Sequence, residues 1–277
     1  MRKKVFVLLA VLVLLAVAVI PAAAITWGEL DEDDKYPNVG ALVYVHPEHG
    51  LWQTCSGTLI DHKVFLTAGH CTALLEELMG AGDLSIEEIW VNFDQDALNE
   101  VTLLNVEAVI THPEYDNFAD PSNPYDVGVL ILSEPVTGNP AELPEDGFLD
   151  GLKKTGELRD EDNKWVGAKF TVVGYGGTLD WPPPDITYED RRQVAESEFV
   201  ALVPAQLHLS QHAVHDIGGT CFGDSGGPVF WTEEDGTKIL VGITSWGDAQ
   251  CVATGYYYRV DIPETLDFIE DVIANLP

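Results

Sequence analysis

The chain has 277 residues and a formal charge of −32, from 14 Lys and Arg against 46 Asp and Glu. That balance excludes nucleic acid as a partner, because phosphate binding requires clustered cations, and it is the kind of charge that keeps an exported protein soluble. With 46% hydrophobic residues the chain can bury a sizeable core.

The first segment reads MRKK, then an apolar stretch over 5–20, then Pro21 and the triplet Ala22, Ala23, Ala24. A charged start, a greasy middle and a small-residue end are the marks of an export signal. Cleavage after Ala24 divides the chain into a signal peptide, 1–24, and a secreted domain, 25–277, of a size that one all-β unit can occupy. The alternative is an uncleaved membrane anchor over 5–25, which nears spanning length, so membrane contact is expected only if this segment is retained. Four cysteines in an exported chain read as two disulfides, with three connectivities open.

Short apolar or alternating runs follow at 41–45, 58–60, 64–67, 89–93, 101–110, 127–132, 169–173, 206–210, 228–231, 239–245 and 256–260. Between them lie turn-forming clusters such as DNFADPSNPYD and LDWPPPD, so the predicted class is all-β. The polar, Gly- and Pro-containing stretch 138–164 is the expected connection between two halves. A helix is predicted at the end, where Leu266, Ile269, Val272, Ile273 and Leu276 share one face, with Asp261 and Glu264 spaced to cap its start. His208, His212 and His215 would mark a metal face on a helix, but LHLSQ alternates like a strand, so surface histidines are expected and no metal site is assigned.

A serine hydroxyl becomes a nucleophile only when a base within hydrogen-bond reach takes its proton, and a third group must hold that base in one tautomer. LTAGHC supplies His70 at the end of an apolar run, PYDVGVLIL supplies Asp126 at the start of another, and GDSGGP supplies Ser225. Asp116 and Asp120 lie in the same acidic loop, yet only Asp126 directly precedes an apolar strand.

These three contexts, in the order His, Asp, Ser, resemble the trypsin/chymotrypsin-like serine proteases over essentially the whole chain after the leader. The resemblance implies two six-stranded antiparallel β-barrels with a C-terminal α-helix, His70 as general base, Asp126 as its orienting group and Ser225 as nucleophile. It also implies an oxyanion hole from the N–H groups of Gly223 and Ser225. Ser245, Trp246 and Gly247 would lay out the substrate backbone, with the Ser245 hydroxyl lent to Asp126. Gly219 would form the floor of the primary pocket, Gly247 and Gly255 its walls, and Phe222 its rim. Without an acidic floor the pocket is expected to be roomy, accepting large apolar or aromatic side chains rather than Arg or Lys. Cys55 would pair with Cys71 and Cys221 with Cys251. Family members are activated when a freed isoleucine amine pairs with the aspartate before the nucleophile, here Asp224. Ile25 stands directly after the expected signal cut, so signal removal itself would release that amine. The implied protein is a monomeric secreted endopeptidase acting on polypeptides without a cofactor; its rivals are a catalytically silent binding module and an esterase.

Overall fold

The computed structural model describes residues 25–276 apart from 100, 161, 164–165, 181–184 and 213–216. The expected leader therefore lies outside the described residues, as does His215. Among those described, no helix is long and apolar enough to cross a membrane.

After a two-residue strand, β1 (Glu29–Leu30), six strands form the first barrel: β2 (Val39–His46), β3 (Gly50–Asp61), β4 (Val64–Thr67), β5 (Ile89–Asn92), β6 (Leu104–Thr111) and β7 (Gly128–Leu132). Their spatial order is β2-β3-β4-β7-β6-β5, and β2 pairs back onto β5 to close the ring. Both β4 and β7 are buried along their whole length, which is why VFLT and GVLIL read as unbroken apolar runs rather than alternating ones.

The second half adds β8 (Lys169–Gly174), a small hairpin of β9 (Thr178–Asp180) and β10 (Asp185–Thr187), then β11 (Gln193–Leu202), β12 (Gln206–Ser210), β13 (Pro228–Thr232), β14 (Lys238–Gly247) and β15 (Thr254–Arg259). The order β11-β12-β15-β14-β13-β8 closes through β8 and β11, with β1 added outside β11. Closure leaves none of the six strands of either ring as an end strand, which reduces the template an open edge would offer to another chain. The expected pair of six-stranded antiparallel barrels is thus observed.

Among the described residues three α-helices decorate the barrels: α1 (Gly69–Ala81), α2 (Phe148–Thr155) and α3 (Pro263–Ala274). Two were not expected. α1 begins after Ala68 without a side-chain cap and ends on Gly82, whose φ of 81° lets its N–H reach back to the last carbonyls. α2 falls inside the stretch expected to be a plain connection, burying Leu149 and Leu152. The terminal helix is where it was predicted, with Ile269 and Val272 buried and Leu266, Ile273 and Leu276 packed on the core. Its start differs: Pro263 pre-sets the first turn and Asp261 makes no cap. Asp261 instead accepts the Leu149 N–H at 2.8 Å and the guanidinium of Arg259 at 2.8 and 2.9 Å. Carrying Arg259, β15 is tied in this way to α2.

A second buried guanidinium joins the barrels. Arg192 reaches Asp31 at 2.9 Å, the carbonyls of Val39 and Phe93 at 3.2 and 2.9 Å, and the Tyr175 hydroxyl at 3.3 Å. A buried cation is tolerated only when paired and hydrogen-bonded in this manner. Tyr175 itself lies on the loop beside Asp224, so the clamp ends next to the candidate site.

Candidate active site

The short distance from β4 to α1 carries the imidazole: Thr67 closes the strand, and His70 is the second residue of the helix. Asp126 sits two residues before β7, which pairs with β4, so strand pairing alone brings the two residues together. The Asp126 carboxylate is fully buried and accepts from His70 Nδ1 at 3.0 and 3.1 Å, the His70 backbone N–H at 2.8 Å and the Ser245 hydroxyl at 2.5 Å. A carboxylate only accepts, so Nδ1 carries the proton and Nε2 is left as the basic nitrogen. Burial works to lower the His70 pKa, but the charge of Asp126 and its hydrogen bond outweigh burial, and the pKa is raised above 6.5.

Ser225 is half-buried and lines the same cleft as His70, a space of about 310 Å³. Among the described residues its hydroxyl has no hydrogen-bond partner, so the contact between serine and imidazole is open. Catalytic hydrogen bonds in unliganded sites are often long and tighten around substrate. The loop around Ser225 is held from the first barrel. The Gly223 carbonyl accepts from Gln53 Nε2 at 2.9 Å and the Ser56 hydroxyl at 3.0 Å, and the Ser225 carbonyl accepts the Ser56 N–H at 2.8 Å. Gly226 has φ of 83°, and a Cβ there would stand 2.0 Å from Thr67 Oγ1, so only glycine fits. The N–H groups of Gly223 and Ser225 donate to no acceptor among the described residues, which leaves both donors available. Neither Gln53 nor Ser56 was singled out in the sequence; their place beside Cys55 was the available signal.

Asp224 is buried and accepts the Gly176 and Cys221 N–H groups, each at 2.8 Å. Burial pushes its pKa up to about 7, opposed by the two N–H bonds. Ile25 is fully buried. Its neighbour Thr26 accepts the Gly219 N–H at 3.0 Å, two residues before Cys221. Both expected disulfides are present, Cys55–Cys71 and Cys221–Cys251. The first ties α1 to β3, and the second joins the loop before Ser225 to the loop after β14.

Of the expected substrate contacts, Phe222, Ser245, Trp246 and Gly247 line the cleft. Trp246 stacks on Tyr256 with ring centroids 3.7 Å apart. Gly219 and Gly255 are not among the residues that line it. A Cβ on Gly219 would stand 2.1 Å from Gln211 Cγ, and one on Gly255 would stand 2.5 Å from the Tyr257 hydroxyl, so both spaces are already filled. Asp248, not expected, stands at the cleft. Burial works to raise its pKa, but backbone N–H groups, led by those of Ala253 and Val252, hold it below the ordinary carboxylate range.

His208 lies on β12 against the Tyr256 ring, with centroids 4.5 Å apart, so it shares no helical face with His212. Among the described residues the group with metal-ligand spacing is Cys55, His70 and Cys71, but both sulfurs are committed to the disulfide.

The family model described as Trypsin matches residues 25–269. The chain is 28% identical to CLIP domain-containing serine protease B15 of Anopheles gambiae, over 90% of this chain and 71% of that protein. It is 26% identical to CLIP domain-containing serine protease B8 of the same organism, over 84% of this chain and 62% of that protein. To Lectizyme of Glossina austeni it is 28% identical, over 92% of this chain and 88% of that protein. With a family match that runs across both barrels and the candidate site between them, this chain belongs to the trypsin/chymotrypsin-like serine proteases.

Proposed function

We propose that the chain is a secreted serine endopeptidase whose triad is His70, Asp126 and Ser225. The observation that carries this reading is the buried Asp126 carboxylate, which fixes the His70 tautomer while Ser225 opens into the same cleft. In the reaction His70 Nε2 takes the Ser225 proton as Oγ attacks the scissile carbonyl. The oxygen of that carbonyl gains charge facing the Gly223 and Ser225 N–H groups. Loss of one such donor costs roughly 3–4 kcal/mol of transition-state stabilisation. Protonated His70 then gives its proton to the leaving amine, and water, activated by the same imidazole, hydrolyses the acyl-enzyme.

The substrate is a polypeptide with an uncharged side chain before the scissile bond, since Gly219 places no carboxylate where Arg or Lys would need one. The protein works as a monomer outside the cell, a setting that two disulfides favour. Removal of residues 1–24 frees the Ile25 amine to pair with Asp224, which among the described residues has two N–H partners and no cation. A catalytically silent relative is the second reading, favoured by the open contact between Ser225 and His70. A fluorophosphonate probe decides between them: the protein beginning at Ile25 is expected to label on Ser225 and to cleave peptides. Absence of labelling in folded, correctly processed protein rejects the protease.

A further inference from the structure

Glycines at positions 219 and 255 leave space beneath the nucleophile loop, and two buried side chains take it. Gln211 follows β12 directly and is 1% exposed. Its backbone N–H donates to the Ala253 carbonyl at 3.0 Å, and its Nε2 donates to the Thr220 carbonyl at 2.6 Å. The Cγ, Cδ and Nε2 atoms lie 2.1, 2.6 and 2.6 Å from where a Cβ on Gly219 would stand. A carbonyl can only accept, so the amide nitrogen must face Thr220 and the amide oxygen must face away. That oxygen, Oε1, is buried without a partner, 3.9 Å from the Cβ position of Gly247, a residue that lines the cleft. Across from it the Tyr257 hydroxyl fills the space at Gly255 and bonds Thr220 Oγ1 at 3.1 Å.

Resting on the protease reading above, we propose that Gln211 is the floor of the pocket for the residue before the scissile bond and restricts it to short uncharged side chains such as Ala, Ser, Thr or Val. A long chain or an aromatic ring would have to displace a side chain packed against Gly219 and hydrogen-bonded to Thr220. An apolar ring that stopped against the amide would leave Oε1 unpaired, and a buried cation there would meet a neutral oxygen where it needs a carboxylate. The glycine that usually opens such a pocket here makes room for the plug.

The test uses the chain beginning at Ile25, with its active fraction counted by fluorophosphonate titration, and peptide anilides that differ only in the last residue: Ala, Val, Leu or Phe. Wild type is expected to have kcat/KM for Ala and Val at least about tenfold above that for Leu and Phe, the discrimination a fitted pocket supplies. Gln211→Ala should raise the Phe-to-Ala ratio by about tenfold or more, whereas Gln211→Met, which keeps the volume, should preserve the wild-type order. Efficient wild-type cleavage after Phe overturns the proposal, as does an unchanged ratio in labelled Gln211→Ala. If Gln211→Ala fails to fold, the wild-type profile and Gln211→Met still decide. Failure of every form to label or cleave is a different result: it rejects the protease reading, and the floor assignment with it.

Discussion

The carboxyl group of Asp224 makes the proposed activation measurable without any substrate. In the extended chain its pKa stands at about 7 against an ordinary 3.8, with burial as the main cause. A carboxyl whose folded pKa is raised stabilises the fold while it is protonated. That contribution is complete below the unfolded pKa and is lost as pH rises through the folded one. The displacement of about three pH units, at 1.36 kcal/mol each, corresponds to about 4 kcal/mol lost between pH 4 and pH 7. A free Ile25 ammonium beside Asp224 favours the ionised form and brings the pKa back down, so the loss should vanish after processing. The comparison is between the chain beginning at Ile25 and the same chain preceded by residues 22–24, each unfolded in urea at pH 4.5, 6 and 8. All other carboxylates are common to both forms, so between pH 4.5 and pH 6, where the terminal amine stays protonated, the difference between their pH slopes reports Asp224. The extended form should fall behind by about 3 kcal/mol between pH 4.5 and pH 8, the remainder being lost below pH 4.5. Parallel slopes would refute the pairing of Ile25 with Asp224.

Two further perturbations address the proposed triad and its bracing. Asp126→Asn should lower kcat/KM by about 10⁴-fold, the size of the corresponding change in the family's own triad template. On the proposed mechanism activity needs neutral His70 and is lost as pH falls through its raised pKa, so removing the Asp126 charge should also shift the acid limb of the kcat/KM profile to lower pH. Replacing Cys221 and Cys251 together by Ser opens a loop with a sequence separation of 30, worth about 3–4 kcal/mol on the chain-entropy model. Thermal unfolding should therefore show a Tm lower by about 6–16 °C.

The residues of the proposed triad stand out in the sequence because each lies where an apolar strand meets turn chemistry, and β4 and β7 are buried runs whose ends announce themselves. β11 was not legible: its inward positions include Gln193 and Ser197, and Ser197 is there to donate to the Gly218 carbonyl at 2.7 Å, so polarity hides the alternation. α1 was missed because it starts with Gly69 and has no side-chain cap, although Gly82 marks its end. The pocket illustrates a deeper limit. A glycine in a motif signals that a Cβ is not wanted, which is compatible with an open cavity or with a neighbour pressed against the backbone. At Gly219 the neighbour is Gln211, eight residues upstream and brought back by the ladder between β12 and β15. Only the register of that ladder, which sets Ser210 opposite Thr254, delivers the next side chain beneath Gly219 rather than into solvent. On the proposed reading of Gln211, substrate choice would be set by a strand pairing that lies outside the His70, Asp126 and Ser225 motifs.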